Sequence, residues 1–137
     1  MFKDPSASAD ERYKIVTIGS YKGRFCVYGF VSLNADAIGS FTTLILDFTG
    51  NHMELNAYTR LGGDILVELA DASQDNRRVH APKIPGRTFE DCDPITGDHH
   101  NKTVTWRGES DLSAWAGKPV RLRFRMRRAS FYAMGFK

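Results

Sequence analysis

VRLRFRMRR, residues 120–128, settles the fold class. Val120, Leu122, Phe124 and Met126 alternate with Arg121, Arg123, Arg125 and Arg127. Successive side chains of a β-strand point to opposite faces. The segment therefore predicts a strand with one apolar face and one face of guanidinium groups. Same-side neighbours on a strand lie roughly 6.6–7 Å apart, close enough for a continuous positive stripe unless carboxylates on adjacent strands interrupt it. KTVTWRG at 102–108 and SFYAMGF at 130–136 read as further strands. Between them, DLSAWAGKPV reads as a turn carrying one helical turn over Asp111–Ala116, which Gly117 and Pro119 stop.

The same signals run back along the chain. RFCVYGFVSLNA, SFTTLILDF, HMELNAYT and GDILVELADAS are rich in aromatic and β-branched residues and bounded by Gly, Asn or Asp. A first strand is expected from Tyr13 to Ile18. Gly50-Asn51 predicts a hairpin between two of these strands, and Gly62-Gly63 a hairpin between another pair. Residues 71–102 break the rhythm and hold three of the five prolines, so they are expected to be functional or to pack as an Ω-loop. Many short strands with almost no helix indicate an all-β fold, an antiparallel β-sandwich of jelly-roll character. It is expected as one domain over 12–137, preceded by a linker over 1–11.

Composition fits a soluble globular domain, with 42% hydrophobic and 26% charged residues in 137. No run approaches the roughly 20 apolar residues of a membrane span, and the first residues lack the apolar core of a signal peptide. A membrane partner is not expected. The net charge of +3 is too small to argue for nucleic acid. Its distribution is uneven, however. Acids gather between Asp64 and Asp98, and Lys118 begins a basic run through Arg121, Arg123, Arg125, Arg127 and Arg128. Cys26 and Cys92 read as small buried side chains, since a disulfide does not follow from two cysteines alone.

From Gly29 to Phe136 the chain resembles a β-sandwich module at the C-terminal end of bacterial glycoside-hydrolase-like proteins of the family 32 and 43 propeller type. The likeness rests on GFVSLNA at 29–35, TT at 42–43, ELN at 54–56 and GGDILVELADA at 62–72. It continues through DCDPITGD at 91–98, VTWRG at 104–108 and DLSAWAGKPVRLRF at 111–124, and ends on Phe131-Tyr132 and Phe136. Arg125, Arg127 and Arg128 depart from the neutral or acidic mixture usual there. The resemblance implies a non-catalytic accessory module whose catalytic partner domain lies elsewhere, either binding polysaccharide or stabilising that neighbour. It implies an extracellular or periplasmic setting where the parent enzyme is secreted.

Several residue groups are candidate sites. Arg121, Arg123 and Arg125, with Arg127, suit bidentate pairing with the carboxylate or sulfate of an acidic polysaccharide. Glu54 and Glu68 could instead pair with them across the sheet. Tyr58 shares a face with Glu54 and Asn56 and is the best ring platform for a sugar. Trp106, in phase with Val104, belongs to the core, whereas Trp115 on the short turn is a further candidate sugar-binding ring or else pins that turn to the sandwich. Asp91, Asp93 and Asp98 offer the hard oxygens a structural calcium ion prefers, although Asp before Pro and around Gly97 is also ordinary turn chemistry. No other cofactor is expected. His80, His99 and His100 lack zinc spacing, and adjacent histidines on an extended chain point apart. No G-x-S-x-G elbow is present. A third reading, a small glycosidase or lyase, would need a carboxylate pair such as Glu54 with Glu68, and enzymatic activity is not expected. Asn101-Lys102-Thr103 forms a glycosylation sequon, which is without consequence in the bacterial setting that the resemblance implies.

Overall fold

A computed structural model describes residues 18–21, 24–27, 30–31, 37–74 and 81–137. The expected linker, the strand from Tyr13 to Thr17, and Tyr28, Asp75 and His80 lie outside the described residues, and of Tyr21 and Cys26 only the backbone is described.

The chain is all-β. β1 (Ile18–Tyr21) and β2 (Arg24–Val27) form an antiparallel pair. A second sheet contains β3 (Phe30–Val31), β4 (Gly39–Thr42), β5 (Met53–Asp71), β6 (Asp98–Thr103) and β7 (Val120–Phe136). Its order is β3-β7-β5-β6, with β4 also paired to β7, and every pairing is antiparallel. Among the described residues the only helical element is a 3-10 turn at Ser113–Trp115, inside the predicted one-turn segment.

The alternation in 120–127 behaves as predicted. Val120, Leu122, Phe124 and Met126 are buried, and Arg121, Arg123, Arg125 and Arg127 face the other way. The strand runs further than expected, because 120–128 and 130–136 form one element hinged at Arg128, whose φ is 47°. Likewise the two segments around Gly62-Gly63 are one strand, and no hairpin separates them. Thr59 faces Ala129 and Asp64 faces Arg127, so Arg60 to Gly63 form a bulge with Leu61 exposed at its tip. Glycine is required there because a Cβ on Gly63 would lie 2.6 Å from the Arg128 carbonyl oxygen and 2.7 Å from that of Arg127.

This bulge bends the β5–β7 ribbon sharply towards its apolar side. Phe124 and Phe131 would lie roughly 23 Å apart on a straight strand, yet their ring centroids are 5.0 Å apart. Phe41 stacks on Phe124 at 4.6 Å and also meets Phe131, so both halves of the ribbon share one core. The far ends converge too. Phe48 stacks on Phe136 at 4.1 Å, while neighbouring Leu46 pairs with Val120. The predicted Gly50-Asn51 hairpin is therefore absent. β4 and β5 flank opposite edges of β7, and Asn51 donates its N–H to Lys137 O instead.

SFTTLILDF is only partly a strand. After Thr42 the Thr43 N–H donates to Leu122 O, its hydroxyl accepts from Leu122 N, and Leu44-Ile45 bulge into solvent before Leu46 rejoins β7. VTWRG is not a regular strand either, because Arg107 (φ 51°) and Gly108 (φ 81°) turn the chain between Trp106 and Glu109. The long segment before it is packed, as expected of a compact loop. Residues 82–97 line the second half of β5: Asp71 N–H donates to Pro82 O, and Ile65 and Ile95 exchange both backbone bonds. Ile84, Cys92 and Ile95 enter the core.

Candidate functional site

Period-two alternation puts Glu54, Asn56 and Tyr58 outward from β5, while Met53, Leu55 and Ala57 are buried. At Asn56 the sheet is irregular on both sides. On β6, Leu55 faces Lys102 and Ala57 faces His99, leaving His100 and Asn101 against the single residue Asn56. On β7, Asn56 faces Ala133 and Ala57 faces Phe131, so Tyr132 is an extra residue. A bulge bends its strand and re-aims side chains. Here two of them flank one residue, and the small residues Ala133 and Gly135 lie opposite Asn56 and Glu54.

The result is a recess of about 150 Å³ lined by Glu54, Asn56, His100, Asn101 and Lys137 over Leu55, Ala133, Met134 and Gly135. Glu54 is the anchored member: its carboxylate accepts from Lys137 Nζ at 2.9 Å and lies 3.4 Å from His52 Nε2. The Lys137 bond holds the carboxyl below the usual carboxylate range against the opposing effect of burial, and His52 adds to the lowering. By contrast, Asn56, His100 and Asn101 make no side-chain hydrogen bond to any described residue. The adjacent histidines do point apart: His99 turns its Nε2 to donate to Thr96 O at 2.6 Å, while His100 lines the recess. Tyr58, 41% exposed, stands one same-side position beyond Asn56, opposite Ser130 on β7 and Asp98 on β6.

The arginine stripe is not part of this surface. It lies beyond the Thr59–Asp64 bulge, on the half of the ribbon that bends away, so Tyr58, Asn56 and Glu54 do not join it in one face. Its members are also engaged. Arg121 Nη1 donates to Thr43 O at 2.9 Å, and Arg123 pairs with buried Glu68 at 2.9 Å and donates to Ala81 O. Arg125 sits 4.5 Å over the Phe89 ring, and Arg127 lies 3.4 Å from Asp64. The chain from Ala81 to Phe89 thus covers part of the face that sequence alone leaves open. Of the two carboxylates expected to meet the arginines, Glu68 does so and Glu54 does not.

Glu54 and Glu68 are not cross-strand neighbours: both stand on β5, on either side of the bend, and Glu68 is held by Arg123 and the Phe89 N–H. Among the described lining residues Glu54 supplies the one carboxylate side chain.

The candidate calcium ligands do not converge. Asp91 accepts from the Thr88 hydroxyl at 2.8 Å and pairs with Arg107 at 2.7 Å. Asp93 accepts from the Thr105 hydroxyl at 2.6 Å and from Gly108 N–H at 2.8 Å. Those bonds lower both carboxyls and close the 88–93 and 105–108 turns. Asp98 is exposed on β6. Among the described residues no three His, Cys, Asp or Glu side chains are grouped to hold a metal ion.

Trp106 is core, its indole N–H donating to Val67 O at 2.9 Å. Trp115 is half-buried, and the Arg87 guanidinium lies between the two indoles, 5.4 Å from Trp106 and 5.3 Å from Trp115. Trp115 therefore pins its turn, and its ring is already covered by a cation. His100, Asn101 and Lys137 are the site residues that sequence reading missed. The run DHHNKT has no alternation, and its one cue was the sequon at Asn101.

Compared with protein-family models, with curated proteins and with solved structures, the chain matches none.

Proposed function

We propose that this chain is a non-catalytic β-sandwich accessory module of a carbohydrate-active protein, and that it binds polysaccharide at the recess around Asn56. One observation carries the reading. Asn56, His100 and Asn101 bring unengaged hydrogen-bonding groups to one hollow beside the exposed ring of Tyr58. Sugar recognition needs those two things together, directional polar groups for hydroxyls and an aromatic face for C–H surfaces. The resemblance to C-terminal modules of propeller-type glycoside-hydrolase-like proteins supports the same reading. The internally paired arginines give no special support to an acidic polymer. Affinity electrophoresis against xylan, arabinan, levan, galactan, pectin and alginate tests the proposal. Retention by at least one polymer, abolished in Asn56→Ala plus Tyr58→Ala, is expected. Retention by none, or retention unchanged in that variant, would overturn it.

A second reading, packing against a catalytic neighbour, is favoured by Ile38, Leu44 and Ile45, which are 60%, 70% and 42% exposed beside β4. If docking is the sole task, no polymer retains the domain, and the isolated domain self-associates in sedimentation through this patch, an association that Leu44→Asp with Ile45→Asp removes.

A further inference from the structure

The size and charge of the recess select among carbohydrates. At about 150 Å³ it falls below the roughly 300–1,000 Å³ of pockets that enclose a drug-sized molecule. That volume suits one sugar unit. Among the described lining residues, the Lys137 ammonium and the Glu54 carboxylate neutralise each other across a 2.9 Å bond. The groups left for a ligand are the carboxamides of Asn56 and Asn101, each uncharged and able to donate and accept at once, and the ring nitrogens of His100. A carboxamide matches two neighbouring hydroxyls and offers a uronate or sulfate no counter-charge. Tyr58 stands one same-side position beyond Asn56, roughly 6.6–7 Å along β5, about the length of one further sugar unit.

Resting on the carbohydrate reading, we propose that the recess takes a single neutral sugar unit of a chain end or branch. Tyr58 stacks the next unit, so the site has two subsites and discriminates against acidic sugars. Beyond Tyr58 the strand enters the Arg60–Gly63 bulge and the ribbon bends away, which leaves no continuous surface for a third unit on that side.

Neutral xylo-, arabino-, galacto- and fructo-oligosaccharides from the monosaccharide to the pentasaccharide, and galacturonic acid oligomers of the same lengths, would be titrated into the labelled domain. The side-chain amide signals of Asn56 and Asn101 are followed by NMR. One neutral series should shift both amides, bind more tightly from the monosaccharide to the disaccharide, and gain nothing further with length. Asn101→Ala should weaken every member of that series by roughly three- to tenfold, the weight of one net hydrogen bond. Tyr58→Ala should abolish only the gain on adding the second unit. Affinity that keeps climbing to the pentasaccharide or preference for galacturonic acid would overturn the inference while the carbohydrate reading stands, whereas binding that leaves both amides unmoved would overturn the placement of the site as well. If no oligosaccharide shifts any signal, both fall together.

Discussion

Replacing Arg123 with alanine probes how the covered face is held. Glu68 is 4% exposed, its Oε1 accepts from Arg123 and its Oε2 accepts from the Phe89 N–H at 3.2 Å. Removing the guanidinium leaves a buried carboxylate with a single backbone donor and frees the Ala81 carbonyl it also bonds. Breaking a buried ion pair from one side costs about 3–5 kcal/mol. The Arg123 side chain keeps 21% of its surface in water, which moves the expectation to the lower end, about 3 kcal/mol. Against a total stability of about 5–15 kcal/mol that is a large loss, and it lowers the melting temperature by on the order of 10 °C. The double variant Arg123→Met with Glu68→Leu should recover most of the stability, because neither charge is left buried alone. Urea unfolding of the parent, Arg123→Met, Glu68→Leu and the double variant closes the cycle, with Arg123→Ala measured beside it. A single variant within about 1 kcal/mol of the parent, or a double variant no more stable than Arg123→Ala, would refute the reasoning.

Phe124→Ala should cost about 3–5 kcal/mol in the same experiment, since the ring is fully buried between Phe41 and Phe131; a change under about 1 kcal/mol would contradict its place in the core. Gly63→Ala should destabilise by about 1–3 kcal/mol, because two backbone carbonyl oxygens occupy the space of the new methyl; an unchanged urea midpoint would mean the bulge is looser than described. Burial pushes the Cys92 thiol up to about 11, so in a Cys26→Ser background it should resist a disulfide reagent at mildly alkaline pH until denaturant is added. Glu54, Asp91 and Asp93 have folded pKa values below their ordinary ones, so their stabilisation is fully present above those ordinary values and is lost as pH falls through the folded ones. The urea midpoint should therefore hold from neutrality to about pH 5 and drop below about pH 4, with a shallower drop in Asp93→Asn.

The alternation of 120–127 was legible because period two is a local signal, and so was the shared face of Glu54, Asn56 and Tyr58. Glycine was legible as an exception and not as its kind. The pair at 62–63 looks like a hairpin turn, but what demands Gly63 is the backbone of Arg127 and Arg128, more than sixty residues away. DHHNKT carries no strand signal because β6 is fully polar and owes its conformation to pairing with β5. The recess was invisible for the same reason. It exists only where register slips on β6 and β7 meet at Asn56, and a slip is a relation between strands rather than a property of one. The arginine stripe was legible as a strand face, and so was pairing with Glu68 across the sheet; what sequence does not reveal is that Ala81 to Phe89 returns to cover part of it.

The β5–β7 ribbon has a consequence for how the chain finds its fold. Its closest paired residues in sequence, Asp71 and Val120, are about 50 positions apart, and its farthest, Met53 and Phe136, about 80. No hairpin can nucleate it, so loop-closure entropy must be met before the first rung forms, and zippering is easiest from the Asp71–Val120 end. Such high contact order places folding in the millisecond-to-second range and keeps two long apolar strands exposed meanwhile. On a ribosome, β5 emerges well before β7, so it must wait unpaired for the strand that completes the core.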